Sequence, residues 1–365
     1  DFQLVPSENV GETDIVVGYK QRFPFHITLG LDDSGSKATG RLQGSATFSW
    51  DNVLTLNDMF YISGTRSFKR HSDKAEGDYG SQNISLYYSI PWKNYQLSLS
   101  GSRYRYHQTV AGAFESYTYS GESRQMKANL SRLLWRDSRS KTYLNAALWA
   151  RQSQNYINDT EIEVQRRRTA GWEAGLSHTH YIYDGVLQLS ALYKRGTGGH
   201  RALRAPEEEF DEGTSRMQII TANIDFSYPF SLFNQPLRFN TEWSAQWNRT
   251  PLVQQDKLSI GGRYTVRGFD GELTLSGERG WVWRNELAWN VGNWGQELYM
   301  AVDTGRVRSS QEELQVGNSL TGGAIGLRGN LWGLNYDYFV GVPLKKPEGF
   351  RTSHVVTGFN LSYHF

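Results

Sequence analysis

Apolar and polar residues alternate with a period of two along most of this chain. In the last eleven residues, VVTGFNLSYHF, one strand face would carry Val355, Thr357, Phe359, Leu361, Tyr363 and Phe365. Successive side chains of a β-strand point to opposite faces, so this pattern predicts a strand with one apolar face. Similar alternation is found in residues 83–90, 95–102, 186–193, 218–230, 236–247 and 281–289. The chain is therefore predicted to be all-β.

The opposite face of these strands carries full charges, such as Arg238, Glu242 and Arg284. A charge at mid-strand is costly in a dry core but is tolerated in a water-filled lumen. A half-buried strand of a soluble sandwich would explain one such segment, but not so many. The 12 Trp and 21 Tyr residues, with a mean hydropathy of −0.59, suit an apolar outer surface with aromatic girdles around a polar interior. The pattern favours a transmembrane antiparallel β-barrel.

The connections between the predicted strands alternate in length. Short ones lie at residues 91–94, 183–185, 231–235 and 292–296, and long polar ones at 69–82, 111–123 and 200–216. This alternation is typical of bacterial outer-membrane barrels, whose short turns are periplasmic and whose long loops are extracellular. About sixteen segments fit between His26 and Phe365, an even number, as bacterial single-chain barrels require. The sequence thus predicts an integral protein of the bacterial outer membrane.

Residues 1–25 lack the alternation and are polar and rich in turn residues. They do not fit a strand pair, and we predict a periplasmic linker that leads into a barrel of residues 26–365. No run of 18 apolar residues occurs, so no transmembrane helix is predicted.

Candidate catalytic and metal-binding residues are few. The absence of cysteine excludes disulfides and thiolate metal sites, and a net charge of +2 provides no field for nucleic acid. The phosphate-loop, metalloprotease and hydrolase motifs do not occur in the sequence. His178 and His180 share a strand face, but a bare pair without a third ligand is more typical of ordinary polar residues. We predict no enzyme activity, no metal, no cofactor and no nucleic-acid partner.

One long connection, residues 261–280, differs from an exposed loop tip. Its sequence, GGRYTVRGFDGELTLSGERG, joins the predicted eleventh and twelfth strands, and structureless loops of such length are uncommon unless functional. Val266 and Phe269 make its centre apolar on either side of Arg267 and Gly268. Glycine allows close approach to a wall, and arginine offers a planar fork to a carboxylate. Both a hairpin folded back into the barrel and a surface hairpin with a solvated arginine fit these residues.

The next strand pair supplies carboxylates for such an arginine. In LYMAVDTGRV, Asp303 and Gly305 share one face, and the opposite face is apolar: Leu298, Met300 and Val302. Asp303 is therefore predicted to point inward, where a lone carboxylate would be costly. Glu286 on the preceding strand is a second inward acid.

These residues resemble two motifs of the Omp85 superfamily. VRGF, from Val266 to Phe269, matches the signature at the tip of the sixth extracellular loop. AVDTG, from Ala301 to Gly305, matches the F-x-D-x-G strand motif, except that alanine replaces the first phenylalanine. The resemblance implies that the loop lies in the barrel lumen and that Arg267 pairs there with Asp303.

More of the chain resembles TpsB proteins, the outer-membrane transporters of two-partner secretion. Residues 29–58, LGLDDSGSKATGRLQGSATFSWDNVLTLND, are similar to their first hairpin and turn. Residues 11–17 resemble the end of their second POTRA domain, and residues 341–350 their penultimate strand and loop. Among TpsB proteins, the chain looks most like the haemolysin and contact-dependent-inhibition transporters, the CdiB-like subgroup.

The resemblance implies a function and partners. Such transporters move one large unfolded exoprotein of the TpsA type from the periplasm to the cell surface through the lumen, without a cofactor. They carry a plug helix and two POTRA domains before the barrel, and they lie in outer-membrane lipid as monomers. The barrel-assembly machinery inserts them, and the candidate signal for it is the apolar face of the last strand: Phe359, Leu361, Tyr363 and Phe365.

Three other functions stay open at this stage. A barrel-assembly insertase would share the VRGF loop but not the first hairpin. A passive diffusion porin would need neither of these features. A barrel enzyme would need a catalytic site, for which the sequence offers no candidate.

Overall fold

The computed structural model describes residues 2–6, 13–18, 23–69, 77–292, 295–310 and 315–365. Short 3-10 helices lie at Glu163–Gln165, Pro206–Phe210 and Gln254–Asp256. No helix in these residues is long and apolar enough to cross a membrane. The strands in chain order are β1 (Phe2–Pro6), β2 (Thr13–Val17), β3 (Phe25–Asp32), β4 (Leu42–Asp51), β5 (Met59–Phe68), β6 (Tyr79–Trp92), β7 (Tyr95–Ala111), β8 (Ser116–Arg136), β9 (Ser140–Ile157), β10 (Thr160–Glu161), β11 (Arg167–Ile182), β12 (Gly185–Thr197), β13 (Gln218–Leu232), β14 (Gln235–Asn248), β15 (Leu258–Ile260), β16 (Leu275–Gly277), β17 (Arg279–Val291), β18 (Gln296–Arg308), β19 (Ser319–Leu331), β20 (Leu334–Lys345) and β21 (Val356–His364).

Sixteen long strands, β3–β9, β11–β14 and β17–β21, form one closed antiparallel barrel. Each strand pairs with its neighbours in sequence, and the two-residue β10 adds to the edge of β9. The last strand, β21, closes the barrel on β3, with Leu361 opposite Leu31 and Tyr363 opposite Leu29. The predicted all-β barrel of about sixteen strands is confirmed.

The alternation of the sequence sets the two faces of each barrel strand. In β18, Leu298, Met300 and Val302 are exposed on the outer face, whereas Ala301 and Asp303 are buried on the inner face. An exposed apolar face is unfavourable in water but suits contact with lipid. The barrel therefore presents apolar side chains to the outside and polar ones to the inside.

The connections alternate in length around the barrel, as predicted, but two of the predicted long loops are shorter than expected. The loop predicted at 69–82 ends earlier, because β6 begins at Tyr79. Residues 111–123 were expected to form a long loop, yet β7 ends at Ala111 and β8 begins at Ser116. The strands β7, β8 and β9 have 17, 21 and 18 residues, more than the 9–11 or so that cross a membrane. Near the β7–β8 loop the outer face of these strands is polar, with Arg103, Arg105, His107 and Thr109, so the apolar outer face that marks a membrane strand is missing there.

The expectation that residues 1–25 contain no strand pair is also wrong. The strands β1 and β2 form a separate antiparallel pair, with Phe2 opposite Val17 and Pro6 opposite Thr13. Each strand has only five residues, which is too short for a periodic pattern to stand out in a polar segment.

The main buried apolar cluster lies between the β14–β17 loop, residues 249–278, and the barrel wall. The loop contributes Ile260, Val266, Phe269 and Leu275, and the surrounding elements contribute Val282, Val307, Leu320 and Phe350. The Phe269 and Phe350 rings meet edge to face with centroids 5.8 Å apart. A closed sheet of this width has no core of its own, so the loop supplies the apolar partner for this part of the wall.

Glycines in the wall make room for the loop backbone. A Cβ atom on Gly322 would lie 1.8 Å from the Arg267 carbonyl oxygen, and one on Gly341 would lie 2.9 Å from Gly268 Cα. Gly268 itself has a φ of +98°, which favours glycine, and a Cβ there would lie 2.3 Å from the Val342 carbonyl oxygen. The loop tip thus fits against β19 and β20 backbone to backbone.

Replacing Gly322 by alanine should unseat the loop tip. The added methyl group overlaps backbone, so the loop or the strand must shift, and such overpacking costs about 1–3 kcal/mol. We expect limited trypsin digestion of the folded barrel to cut after Arg263 or Arg267 in Gly322→Ala but not in the wild type. Gly64→Ala is the matched control, because a Cβ on Gly64 meets nothing within 4 Å. Equal protection in Gly322→Ala would contradict the packing.

The closure of the barrel predicts a specific cross-link. Leu31→Cys with Leu361→Cys places two thiols on directly opposed residues, whose Cα separation in an antiparallel pair suits a disulfide. Residues 1–365 contain no cysteine, so oxidation of the barrel should give one intramolecular product, seen as a mobility shift after heat denaturation. Leu29→Cys with Leu361→Cys is two residues out of register and should react far less. Comparable yields from both pairs would show that the register is different.

Candidate functional site

A tight turn presents Arg267 to the barrel wall. The Gly262 carbonyl oxygen accepts the backbone N–H groups of Thr265 and Val266, each at 2.9 Å. The Thr265 hydroxyl in turn accepts the N–H groups of Gly261 and Gly262, at 3.2 and 3.3 Å. Because these bonds satisfy the backbone of the turn internally, Val266 and Arg267 can leave it toward β17 and β18.

Arg267 and Asp303 form a two-pronged ion pair. The guanidinium Nε donates to Asp303 Oδ2 at 2.7 Å and Nη2 donates to Oδ1 at 2.8 Å. The Arg267 backbone N–H also donates to Oδ2, at 3.0 Å. Arg267 is 7% exposed and Asp303 is 0% exposed. Such paired geometry is among the strongest arrangements for an arginine, and each partner offsets the cost of burying the other.

Glu286 holds the remaining edge of the guanidinium. Arg267 Nη1 donates to Glu286 Oε2 at 2.6 Å, and Arg328 Nη2 donates to Glu286 Oε1 at 2.7 Å. Arg328 also donates from Nε to Glu297 at 2.7 Å, and Arg238 donates to the same Glu297 oxygen at 2.6 Å. The loop arginine is therefore bound to a longer row of wall charges.

The row alternates in sign along its whole length. Beyond Asp303, Arg284 Nε lies 3.7 Å from Asp303 Oδ2, and Arg284 Nη1 donates to Glu242 at 2.9 Å. Four arginines and four acids alternate, and only Arg267 comes from the loop; the order is Arg238, Glu297, Arg328, Glu286, Arg267, Asp303, Arg284 and Glu242. We call this set the charge row. Removal of Arg267 would make Glu286 and Asp303 neighbours in the row and leave one negative charge unbalanced.

Two further contacts hold the loop to other elements. Arg263 Nη2 donates to Asp33 Oδ1 at 2.7 Å, and the same oxygen accepts the Phe359 backbone N–H at 2.9 Å. Asp270 Oδ2 accepts the Ser353 hydroxyl at 2.9 Å and the Ser353 N–H at 3.1 Å. Partial burial opposes ionisation of Asp270, but these hydrogen bonds outweigh it and lower the pKa of the carboxyl. The Arg263 contact joins the loop to β21 and the β3–β4 loop, the two sides of the barrel closure.

The residues of the two sequence motifs lie together. Val266 and Phe269 are buried in the main apolar cluster, and Gly305 lies beneath the side chains of Ile260 and Val266. Ala301, which takes the place of an aromatic residue in the resembled motif, is buried among Ala288, Tyr299, Ala324 and Phe339. The space beside the ion pair is thus filled by aromatic rings from neighbouring positions.

The C-terminal residues take a different place. Tyr363 and Phe365 contact each other with ring centroids 4.7 Å apart, and the Leu361 side chain is half-buried in the strand that closes the barrel. Only Phe359 reaches the loop site, through its backbone N–H to Asp33. Their role as an assembly signal stays a prediction.

Sequence reasoning missed several members of the charge row. The alternation had placed Arg238, Glu242 and Arg284 on inner faces, but it did not identify their partners. The register decides these partners, because Arg284 is opposite both Glu242 and Asp303, and Glu297 is opposite Arg328. Opposed residues of an antiparallel pair share a face and lie in contact.

No metal centre forms in the part of the chain that the structure describes. Within it, no group of three or more His, Asp or Glu side chains could hold a metal ion. The rings of His178 and His180 stack at 5.9 Å, and His178 Nδ1 lies 2.8 Å from the Thr142 hydroxyl.

A polar cavity of about 740 Å³ adjoins the charge row. Arg267, Glu286 and Arg328 line it, together with Gln188 of β12 and Asp225 of β13. The charge row thus borders a space large enough to hold many water molecules, beside which ion pairs are weaker than in a dry core. Such contacts can hold a loop and still be broken.

Comparisons with known proteins agree with this architecture. The outer membrane transporter CdiB-2 of Burkholderia pseudomallei strain 1026b is 32% identical over 368 residues, covering 100% of this chain and 62% of that protein. The haemolysin transporter ShlB of Serratia marcescens is 25% identical over 315 residues, covering 85% of this chain and 55% of that protein. The chain therefore spans less than two thirds of the length of these relatives.

Solved structures and a family profile complete the comparison. CdiB from Escherichia coli superposes with a TM-score of 0.91 at 25% identity, covering 100% of this chain and 67% of that one. BamA from Haemophilus ducreyi, at 13% identity and a TM-score of 0.61, covers 100% and 75% and shows the fold alone. The profile of haemolysin secretion/activation proteins ShlB/FhaC/HecB matches residues 11–329. The predicted resemblance is confirmed: this chain belongs to the ShlB/FhaC/HecB family of haemolysin secretion/activation proteins.

Proposed function

We propose that this chain is the barrel of an outer-membrane transporter that exports a large unfolded exoprotein of the TpsA type. The relatives named as CdiB and haemolysin transporters support this function. The barrel fold and the same relatives support an integral position in the bacterial outer membrane. The long loops would be extracellular and the short turns periplasmic.

The observation that carries the proposal is the single arginine that joins the loop to the charge row. We infer that residues 249–278 fold into the lumen, because their contacts fall on the inner face of β17–β19. A passive pore needs no loop held in this way. A transporter needs a wall that closes the barrel at rest and can yield to a passing chain, and polar contacts beside a wet cavity satisfy both needs.

We further propose that residues 1–25 link the barrel of residues 26–365 to periplasmic POTRA domains. The β1–β2 pair supports this, since it joins none of the described barrel strands. The transporter would act as a monomer in outer-membrane lipid. The last strand, with Phe359, Leu361, Tyr363 and Phe365 alternating, would be recognised by the barrel-assembly machinery during insertion.

Replacing Arg267 by alanine should reduce export about tenfold or more while the barrel still assembles. The change leaves Asp303 and Glu286 without their shared cation, and breaking a buried pair costs about 3–5 kcal/mol, less where water enters. The measurement is the amount of partner exoprotein on the surface of cells that express each variant. Heat-modifiable migration of the purified barrel checks that it has folded.

Arg306→Ala is the matched control for this experiment. Arg306 lies on the same strand as Asp303 but on the outer face, where it is exposed. Its removal should leave export unchanged. Normal export by Arg267→Ala would contradict the proposed role of the loop. If the protein were a passive pore, the amount of exoprotein on the cell surface would be the same with every variant and without the barrel.

The proposed orientation can be tested by labelling single cysteines. Phe114 is 101% exposed in the loop between β7 and β8, and Phe233 is 89% exposed in the turn between β13 and β14. In intact cells, a membrane-impermeant maleimide should label Phe114→Cys and leave Phe233→Cys unmodified. Permeabilised cells should show both labelled. The opposite result in intact cells would invert the orientation.

A further inference from the structure

Three arginines converge on one carboxylate on the outer face of the barrel. Arg103 Nη2 donates to Glu122 Oε2 at 2.7 Å, and Arg105 Nε donates to the same oxygen at 2.8 Å. Arg124 Nε donates to Glu122 Oε1 from two residues further along the same face of β8. The arginine side chains are 41–56% exposed and Glu122 is 19% exposed. One carboxylate among three guanidinium groups leaves two positive charges unbalanced at this point.

The register shows that this cluster faces outward. Arg103 is opposite Ile84 and Arg124 is opposite Gln152, and opposed residues share a face. The other face of the same strands is inner, because Lys127 pairs with Glu173 and Arg151 Nη2 donates to Asp256 of the β14–β17 loop at 3.0 Å. The cluster is therefore separate from the charge row and from the lumen.

The cluster lies at the edge of the apolar outer belt. On the same face, the next residues toward the short turns are apolar and exposed: Ile84, Leu86, Leu99, Met126 and Leu148. On the side toward the long loops the face is polar, with Gln82, His107 and Ser120. Lipid headgroups lie at such a boundary between an apolar belt and a polar rim.

The cluster has capacity for a further anion. Arg103 Nε is buried and has no hydrogen-bond partner in the described part of the chain. Arg66 is exposed on β5 in the same row, two strands away through Gln82, and no described carboxylate lies within ion-pair distance of it. A depression of about 840 Å³ adjoins this row and is lined by Arg66, Arg105 and Glu122. It is also lined by Asp159 and by Asp78, and Asp78 is paired with Lys69 and His107. Its size is within the range of ligand pockets.

We propose that this outer face binds the phosphorylated headgroup of a glycolipid in the outer leaflet. Guanidinium groups match phosphate oxygens in pairs, and their position at the belt edge places them where headgroup phosphates lie while acyl chains cover Met126 and Leu148. The assignment to the outer leaflet rests on the proposed orientation, with the β7–β8 loop outside the cell. The exported chain takes no part in this contact, so the site would anchor and orient the barrel in its leaflet.

The test measures lipid binding by the purified full-length transporter in detergent. Native mass spectrometry detects the bound lipid. The probe is bisphosphorylated lipid A, compared with the same lipid after removal of its phosphates. The wild type should retain the phosphorylated form preferentially, and retention should weaken with salt. The combined change Arg103→Gln, Arg105→Gln and Arg124→Gln should lower its apparent affinity about tenfold or more, since charge-assisted hydrogen bonds are lost.

Arg132→Gln is the matched control. Arg132 lies on β8, like Arg124, on the same outer face but at the other end of the belt, over the Tyr95 ring at 5.5 Å. It should leave lipid binding unchanged. Equal retention of the two lipids by the wild type, full binding by the triple variant, or equal loss in Arg132→Gln would each overturn the proposal. Competition by inorganic phosphate alone at equal concentration would also overturn it, as it would indicate a general anion site.

The outcome is separable from that of the export experiment. Lipid binding is measured without an exoprotein, so it stands or fails whether or not Arg267→Ala blocks export. The triple variant should still export, because none of its residues touches the loop or the charge row. If cysteine labelling placed the β7–β8 loop in the periplasm, the cluster would face the other leaflet, and selective binding of lipid A would not be expected.

Discussion

The burial of one guanidinium group governs how the β14–β17 loop lies against the barrel wall. Arg267 can lie against the wall only because Asp303 and Glu286 take up its hydrogen bonds, and neither acid could be buried there without a cation. The ion pair therefore fixes the loop to β17 and β18. The apolar residues beside it, Val266 and Phe269, then fill the space between the loop and the wall.

The charge row extends this one contact across several neighbouring strands of the wall. Its members come from β14, β17, β18, β19 and the loop, and their alternating signs leave no excess of charge. The adjoining cavity admits water, so each pair is weaker than it would be in a dry interior. The outer cluster around Glu122 differs, because its positive charges are unbalanced and it borders the lipid-facing belt.

Much of the fold could be predicted from the alternation of apolar and polar residues alone. The elements that this alternation did not predict were missed for a physical reason. The last strand, the even strand count and the long connection before β17 could be predicted, because lipid on one side and water on the other impose a period of two. The extended ends of β7 and β8 could not, since strands beyond the membrane meet water on both faces. The β1–β2 pair was missed because each strand is too short to carry a pattern.

The alternation in the sequence was sufficient to assign the inward face of the strands, but it left a solvated Arg267 as an alternative to an Arg267 paired with an acid. Asp303 and Glu286 were evident because a lone charge at mid-strand is costly. The pairing partners and the seat of the loop became evident from the three-dimensional contacts. The register brought Arg328 and Glu297 into the charge row, and the fit of Gly268 against Gly322 and Gly341 placed the loop. These contacts join residues far apart in the chain, and no local pattern encodes which strand lies opposite which.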